Sequence, residues 1–346
     1  MDPDLLLAGL ATGNTAALAR AISVVENGRP GFERLLAEVH RSVGRARRIG
    51  ITGPPGAGKS TLVERLVAAY RAAGLRVAVV AVDPTSPFSG GALLGDRIRM
   101  ESVALDEGVY IRSMGSRGSL GGLATTSGEV CDLLDAAGFD RILLETVGVG
   151  QSELDVARMV DTTVLMLVPE SGDGIQTLKS GVMEIADIFV VNKADRSGAE
   201  KLRQEIEITL GIRRGNAFRG VPAHHGFKGR GKAAPAPARA PADAVWEHTV
   251  VLATATKGEG VPELLAVLQR HHEWLGATSE LAVRRRRRLL DRTREVVNRA
   301  TRRWIWEETR AEQLIAERLD EVVEGRLSPY DVATEVLDGI RQGERI

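Results

Sequence analysis

Gly53-Pro54-Pro55-Gly56-Ala57-Gly58-Lys59-Ser60 follows a short apolar run, Arg48–Thr52, and leads into helix-forming residues that reach Ala73 before Gly74. The octet satisfies G-x-x-x-x-G-K-[ST] in full, and a strand before it and a helix after it are the context that such a loop needs. Glycines let backbone N–H groups turn inward around phosphate oxygens. The helix N-terminus adds partial positive charge at the same place. Gly53, Gly56, Ala57 and Gly58 therefore form the candidate cradle. Lys59 is expected to reach the outer phosphates as a point charge, Ser60 to offer its hydroxyl to magnesium, and Thr61 to adjoin the inner phosphate. The bland alternative is a chance glycine-rich turn; the complete motif in its context favours nucleotide binding.

Working outward, strand signals recur at Val77–Val82, Val109–Arg112, Arg141–Glu145, Thr163–Val168, Ile188–Asn192 and Thr249–Ala253, with helices between them. Strands apolar on both faces that alternate with helices predict a mainly parallel sheet flanked by helices, an α/β fold of the P-loop NTPase kind. Residues 1–46 read as an N-terminal helical extension, with Asn14 capping a helix through Ser23 and Pro30 opening another toward Val43. Residues 47–275 read as the nucleotide domain. Its stretch 213–244 is rich in Gly, Pro, Ala and basic residues and reads as an exposed insertion. His224 and His225 within it read as loop histidines rather than metal ligands. From 276 to 346 the pattern is helical. Val283, Leu290, Val297 and Trp304 recur every seven residues as one apolar stripe, Gly325 closes the next helix, and Ser328-Pro329 opens the last. The stripe predicts an arm that pairs with a second copy of the chain, with folding back on its own nucleotide domain as the competing reading.

Asn192-Lys193-Ala194-Asp195 follows an apolar strand and has the N-K-x-D form. A carboxylate at Asp195 can accept from guanine's ring N–H and its exocyclic amino group, neither of which adenine offers there. Asn192 is expected to hold the loop and the Lys193 stem to pack over the base. Thr254-Ala255-Thr256 is a second candidate base-contacting loop. Glu145-Thr146-Val147-Gly148 ends a strand and offers Glu145 to magnesium and the Gly148 N–H to the terminal phosphate. Lys59 and Glu145 stand 145 − 59 = 86 residues apart. That spacing suggests an additional strand interposed between the two motif-bearing strands. Asp83, at a strand end expected beside the phosphate-loop strand, and Asp96 are candidate magnesium or water-positioning groups; turn and helix-cap duty is the competing reading of both.

Composition narrows the field. The 346 residues are 43% hydrophobic and 27% charged, with 46 basic and 46 acidic side chains. A general nucleic-acid or membrane binder usually carries a basic excess, so neither partner is expected. The single cysteine, Cys131, excludes an intrachain disulfide and reads as a small buried apolar residue. Met1-Asp2-Pro3-Asp4 fits neither a secretory signal nor a transit peptide, and no run is long and apolar enough for a membrane span, so a cytoplasmic setting is expected. Arg284–Arg288 reads as a solvated or acid-paired run rather than a nucleic-acid contact.

The strings Gly53–Thr61, Val82–Arg97, Ile111–Gly118, Glu145–Glu153, Pro169–Gly181 and Asn192–Asp195 together resemble the MeaB/MMAA (ArgK) GTPases. The resemblance runs from about Gly13 to Trp274 and more loosely beyond. It implies a GTP-hydrolysing, magnesium-dependent metallochaperone of an adenosylcobalamin-dependent acyl-CoA mutase, methylmalonyl-CoA mutase or a close relative. Such chaperones use GTP to gate cofactor loading and to clear damaged cofactor, and adenosylcobalamin enters only through the mutase. The resemblance also implies a homodimer through the C-terminal helices, and places Asp83, Asp96 and Glu145 near magnesium. Gly172–Lys179 resembles the family's third switch, with Lys179 matching a lysine implicated in partner-stimulated hydrolysis and Asp173 its companion. The chain departs where the family often has Glu-Leu, at Gly174-Ile175, and Gly, at Thr177. No Gln follows immediately after Gly148, so slow basal hydrolysis is expected, with Lys179 moved inward by the partner. A nickel-insertion GTPase and a P-loop kinase are the competing readings. The one cysteine and six scattered histidines count against the first, Asn192–Asp195 against the second.

Overall fold

The computed structural model describes residues 3–83, 103, 105–115, 122–146, 152–169, 182–213 and 245–341, with positions 83, 122–124, 152–153, 182 and 212–213 described by backbone alone. The chain divides into two compact units, 1–288 and 289–346. Among the described residues no helix is long and apolar enough to cross a membrane.

The first unit is built on seven strands: β1 Arg47–Thr52, β2 Val77–Asp83, β3 Val109–Gly115, β4 Arg141–Thr146, β5 Thr162–Leu167, β6 Ile188–Asn192 and β7 Thr249–Ala253. They form one sheet in the order β3-β2-β4-β1-β5-β6-β7, with every neighbouring pair parallel. All seven predicted strands are present, two with the expected bounds and the others with an end moved by one to three residues. Successive side chains on a strand feed opposite cores, as a two-residue repeat requires. Ala78, Val80, Val82, Ile142 and Leu144 join one buried cluster, whereas Val77, Val79 and Leu143 join another.

Two expectations are overturned by this order. β1 pairs directly with β4, so no strand separates the phosphate-loop strand from the Glu145 strand. β2, which carries Asp83, lies beyond β4 rather than beside β1. Chain length between two motifs says how many elements intervene in sequence, not where they pair. β4 presents Ile142, Leu143 and Leu144 to both cores, all fully buried, and takes the inner position, while β2 and β3 extend the sheet outboard.

One face is covered by α1 Pro3–Ala11, α2 Thr15–Glu26, α3 Phe32–Val39, α5 Gly122–Ala136 and α6 Ser152–Met159. The other carries α4 Lys59–Ala72 and α9 Val261–Ala277. The short α7 Val182–Ile185 and α8 Ala199–Arg213 pack on β5 and β6 in a third cluster around Phe189. Cys131 is buried in α5, as expected. Asn14 caps α2, its Oδ1 accepting from the Ala17 N–H at 3.0 Å. The helix expected to open at Pro30 starts instead at Phe32. Gly31 stands before it at φ 91°, a left-handed geometry incompatible with a continuous right-handed helix, and the helix gives way to a 3₁₀ turn at His40–Ser42.

α10 Glu280–Arg303 begins in the first unit and continues as an element of the second, followed by a π turn Trp304–Glu308, α11 Ala311–Val323 and α12 Pro329–Arg341. Gly325 takes φ 74° beyond the end of α11. Ser328 caps α12 by accepting from the Asp331 N–H, while Asp331 Oδ2 accepts from the Ser328 N–H, a reciprocal capping box.

Candidate functional site

A parallel sheet brings the C-terminal ends of all its strands to one edge, and that is where ligands sit in such folds. Thr52, Asp83, Thr146 and Asn192 all lie there. Between β1 and α4 the loop Gly53–Gly58 turns tightly. Gly53 has φ 139°, and a Cβ on it would fall 2.1 Å from the Met166 carbonyl oxygen; a Cβ on Gly58, at φ 92°, would fall 2.5 Å from Asn192 Nδ2. Only glycine fits either position. The Lys59 ammonium is buried and donates to the carbonyl oxygens of Gly53 at 2.8 Å and Pro54 at 3.1 Å, which holds it over the loop. α4 begins at Lys59 with Gly58 at its cap and no side chain bonded to its first N–H groups, which leaves that end to receive an anion.

Ser60, in the first turn of α4, meets Glu145 near the end of β4. Ile51 and Glu145 are register partners, and the Ser60 hydroxyl donates to Glu145 Oε1 at 2.6 Å. Glu145 is 2% exposed. Alongside, the Thr146 hydroxyl donates to Thr52 Oγ1 at 3.2 Å. A hydroxyl and a carboxylate in contact form a hard, all-oxygen pair that suits magnesium, which takes one or two protein oxygens and keeps waters and phosphate oxygens for the rest.

Asn192 ties the base loops to the phosphate loop. Its Nδ2 donates to the Ala57 carbonyl at 2.7 Å and its Oδ1 accepts from the Ala255 N–H at 3.0 Å. One buried amide thus joins Gly53–Ser60, Asn192–Asp195 and Thr254–Thr256. Lys193 takes φ 58°, one of two non-glycine residues with positive φ among those described, and the Ala194 N–H donates to the Ala253 carbonyl at 3.0 Å. That bend leaves the Asp195 carboxylate half-exposed, 3.7 Å from the Lys257 ammonium. Arg65, two turns along α4, donates to the carbonyls of Ala255 at 3.1 Å and Thr256 at 2.6 Å. Neither Arg65 nor Lys257 stands out in the sequence, because an arginine on a helix and a lysine in a turn are ordinary until the chain brings them to this loop.

Lys59, Ser60, Glu145, Asn192 and Ala255 are therefore brought together, with Asp195 at the outer end. For Asp83 the structure describes the backbone, at the β2 end and paired with Gly115. Asp96, Gly148, Asp173 and Lys179 lie outside the described residues, as does nearly all of the 213–244 insertion.

At the opposite, N-terminal edge of the strands lies a buried ionic network. Asp161 and Asp187 precede β5 and β6. Asp161 accepts from the Arg48 N–H and pairs with Arg285 at 2.9 Å and Arg288 at 3.0 Å. Asp187 accepts from the Thr163 N–H and pairs with Arg284 at 2.9 Å, with His271 Nε2 3.5 Å away. Burial by itself would raise both carboxyls. For Asp161 the Arg285 hydrogen bond and the charges of Arg288 and Arg285 override burial, and for Asp187 His271 and Arg284 do; both are lowered to about 2. Three of the five consecutive arginines thus pair with buried acids.

Comparison with known proteins agrees with this geometry. The profile of the family described as methylmalonyl Co-A mutase-associated GTPase MeaB matches residues 18–310. A Pyrococcus abyssi protein named as a GTPase is 42% identical over 295 residues, spanning 85% of this chain and 84% of its own. The methylmalonic aciduria type A homolog of Mus musculus, named as mitochondrial, is 36% identical over 299 residues, spanning 82% of this chain and 66% of its own. Among solved structures, a crystal structure titled LAO/AO transport system kinase superposes with a TM-score of 0.63 at 25% identity, over 98% of this chain and 97% of that one.

Proposed function

The chain belongs to the MeaB family of methylmalonyl-CoA mutase-associated GTPases, and on that premise we propose that it couples GTP hydrolysis to the care of an adenosylcobalamin-dependent acyl-CoA mutase. GTPase activity follows from the family and from the relatives' names. The observation that carries the guanine part of the reading is Asn192, whose single amide locks the phosphate loop to both candidate base loops. In this reading the backbone N–H groups of Gly53–Gly58 and the Lys59 ammonium bind the phosphates, and Asp195 reads the guanine edge. Lys59 exchanges the Gly53 and Pro54 carbonyls for phosphate oxygens, a charge-assisted contact. Ser60 and Glu145 would hold magnesium through oxygen, and the ion supplies charge neutralisation at the phosphates. Asp83 and Asp96 are proposed to support that centre, and Gly148 to donate to the terminal phosphate.

Partner-stimulated hydrolysis is assigned to Lys179 with Asp173, on the resemblance of Gly172–Lys179 to a switch segment. The mutase is the proposed source of the conformational change that moves Lys179 to the phosphates. The family's description supports a mutase partner, and the mouse relative's name points to the same metabolism. A homodimer is the proposed assembly. The test is hydrolysis by the purified chain with and without an adenosylcobalamin-dependent acyl-CoA mutase from the same source. Stimulation of about tenfold or more is expected, lost in Lys179→Ala while basal turnover stays within about twofold. Equal stimulation of variant and parent would remove Lys179 from this role, and no stimulation by any such mutase would remove the chaperone reading.

A further inference from the structure

On the face of the sheet covered by α4 and α9, a cavity of about 270 Å³ opens at the N-terminal strand ends, the edge opposite the phosphate loop. Arg47 and Arg141 stand in its wall. They are register partners on the adjacent parallel strands β1 and β4, so both side chains rise from the same face. Like charges placed directly opposite each other destabilise a sheet. The Glu273 charge offsets Arg47 only in part, and neither guanidinium lies within ion-pair distance of a carboxylate among the described residues. Arg47 donates to Gln269 Oε1 at 2.6 Å, and Arg141 to the Asp140 carbonyl at 3.0 Å. The Arg141 guanidinium also lies 5.3 Å from the centre of the Tyr70 ring.

The next residue along β1 makes the contrast. Arg48 faces the other side of the sheet and is neutralised by Asp132 at 2.6 Å and Asp135 at 3.6 Å. Asp161 also lines the cavity, but its oxygens are committed to Arg285, Arg288 and the Arg48 N–H. His272, at the cavity wall, is lowered to about 4, by burial first and then by the charge of Arg47, so at neutral pH it is an uncharged imidazole. Ile49, Leu75, Leu265 and Leu268 make most of the remaining wall apolar, with Tyr70, Thr162 and Gln269 as its polar members.

We propose that this cavity is a binding site for a small organic anion, a carboxylate or phosphate monoester on a short apolar body, with Arg47 and Arg141 holding the anion. A paired guanidinium site suits the planar or tripod oxygens of these groups. The apolar wall suits a carbon body rather than a bare ion, and the volume falls below the roughly 300–1,000 Å³ of pockets that take drug-sized ligands. The wall is drawn from β1 and α4, the two elements that flank the phosphate loop, so the ligand touches both.

The test is calorimetric titration of the full chain, saturated with GDP and magnesium so that the phosphate loop is filled, with butyl phosphate, butyrate and neutral butanol. Binding of either anion and not of butanol is expected, and which anion binds identifies the headgroup. Arg141→Gln is expected to weaken that binding at least tenfold while GDP affinity is unchanged, the latter reporting a folded chain. Arg47→Gln gives the same reading should Arg141→Gln fail to retain GDP. Binding of neither anion, equal binding of butanol, or undiminished binding in a folded variant overturns the proposal.

Discussion

Asn192 and Asp195 sit three residues apart and are expected to fail in different ways when changed. Asn192 is buried and bonded at both ends of its amide. Asn192→Ala leaves the Ala57 carbonyl and the Ala255 N–H without partners, and an unsatisfied buried polar group costs about 1–3 kcal/mol. The expected outcome is a lower unfolding midpoint together with weakened GTP binding, because both loops lose their common tie. Chemical denaturation and calorimetry on one preparation check the two together; a loss of affinity with full stability would mean that the amide contacts the nucleotide itself. Asp195 is half-exposed with Lys257 beside it, so its removal should leave stability nearly intact. Asp195→Asn is expected to weaken GTP binding about 10- to 100-fold, the range of a charge-assisted hydrogen bond. It should also shift preference toward XTP, whose carbonyl replaces guanine's amino group and accepts from an amide. Competition between GTP and XTP measures this, and an unchanged preference would take base reading away from Asp195.

At the scale of elements, the N-terminal strand edge is held by charge. Asp161 and Asp187 anchor the starts of β5 and β6 and receive three arginines from the first turns of α10. Their carboxyls are lowered from an ordinary 3.8 to about 2 in the folded chain. A carboxyl lowered by folding stabilises the native state at pH above its unfolded value, and that contribution is lost as pH falls from about 4 toward 2. Each group accounts for about 2 kcal/mol on this scale. Denaturant unfolding at pH 7, 5 and 3 should therefore show a steep loss only between the last two. Asp161→Asn should be less stable than the parent at pH 7, because it leaves the Arg285 and Arg288 guanidiniums without their buried carboxylate, and should lose less on acidification. A parent and variant with the same acid slope would show that Asp161 does not carry it.

For the whole molecule, the question is what covers α10. Val283, Leu290, Val297 and Trp304 are 57%, 50%, 56% and 43% exposed, one stripe of large apolar side chains open to solvent. An exposed apolar stripe of this kind marks an association surface. A second copy of the chain is the proposed cover, and apolar burial rather than surface charge pairing is expected to supply most of the affinity. Leu290→Glu with Val297→Glu in the full-length chain should give a monomer in light scattering across a concentration series, with GTP affinity retained. This pair is preferred to removing everything after Thr278, because that cut would also strip Arg284, Arg285 and Arg288 from Asp187 and Asp161. A parent that is already monomeric, or a double variant that stays dimeric, rules the stripe out as the interface.

Local chemistry was legible in the amino-acid order. Gly53–Ser60 and Asn192–Asp195 each need particular residue types at fixed spacing, and the doubly apolar runs named all seven strands, because burial on both faces leaves a mark on every residue of a strand. Gly31 delayed the start of one expected helix to Phe32 through its own backbone conformation, a local effect that the Pro30 signal outweighed in the reading. Strand order was another matter. The 86 residues between Lys59 and Glu145 imply extra elements but not their place, since lateral pairing depends on which strand can bury both faces, a property of the assembled sheet. The same holds for Arg65 on the Ala255 and Thr256 carbonyls, for Arg284, Arg285 and Arg288 on Asp187 and Asp161, and for Arg47 beside Arg141. Those partners lie from about 90 to 190 residues apart in the chain. Their interactions have no periodicity or spacing to betray them, so only tertiary packing decided which charges would be paired, and which two would be left facing each other.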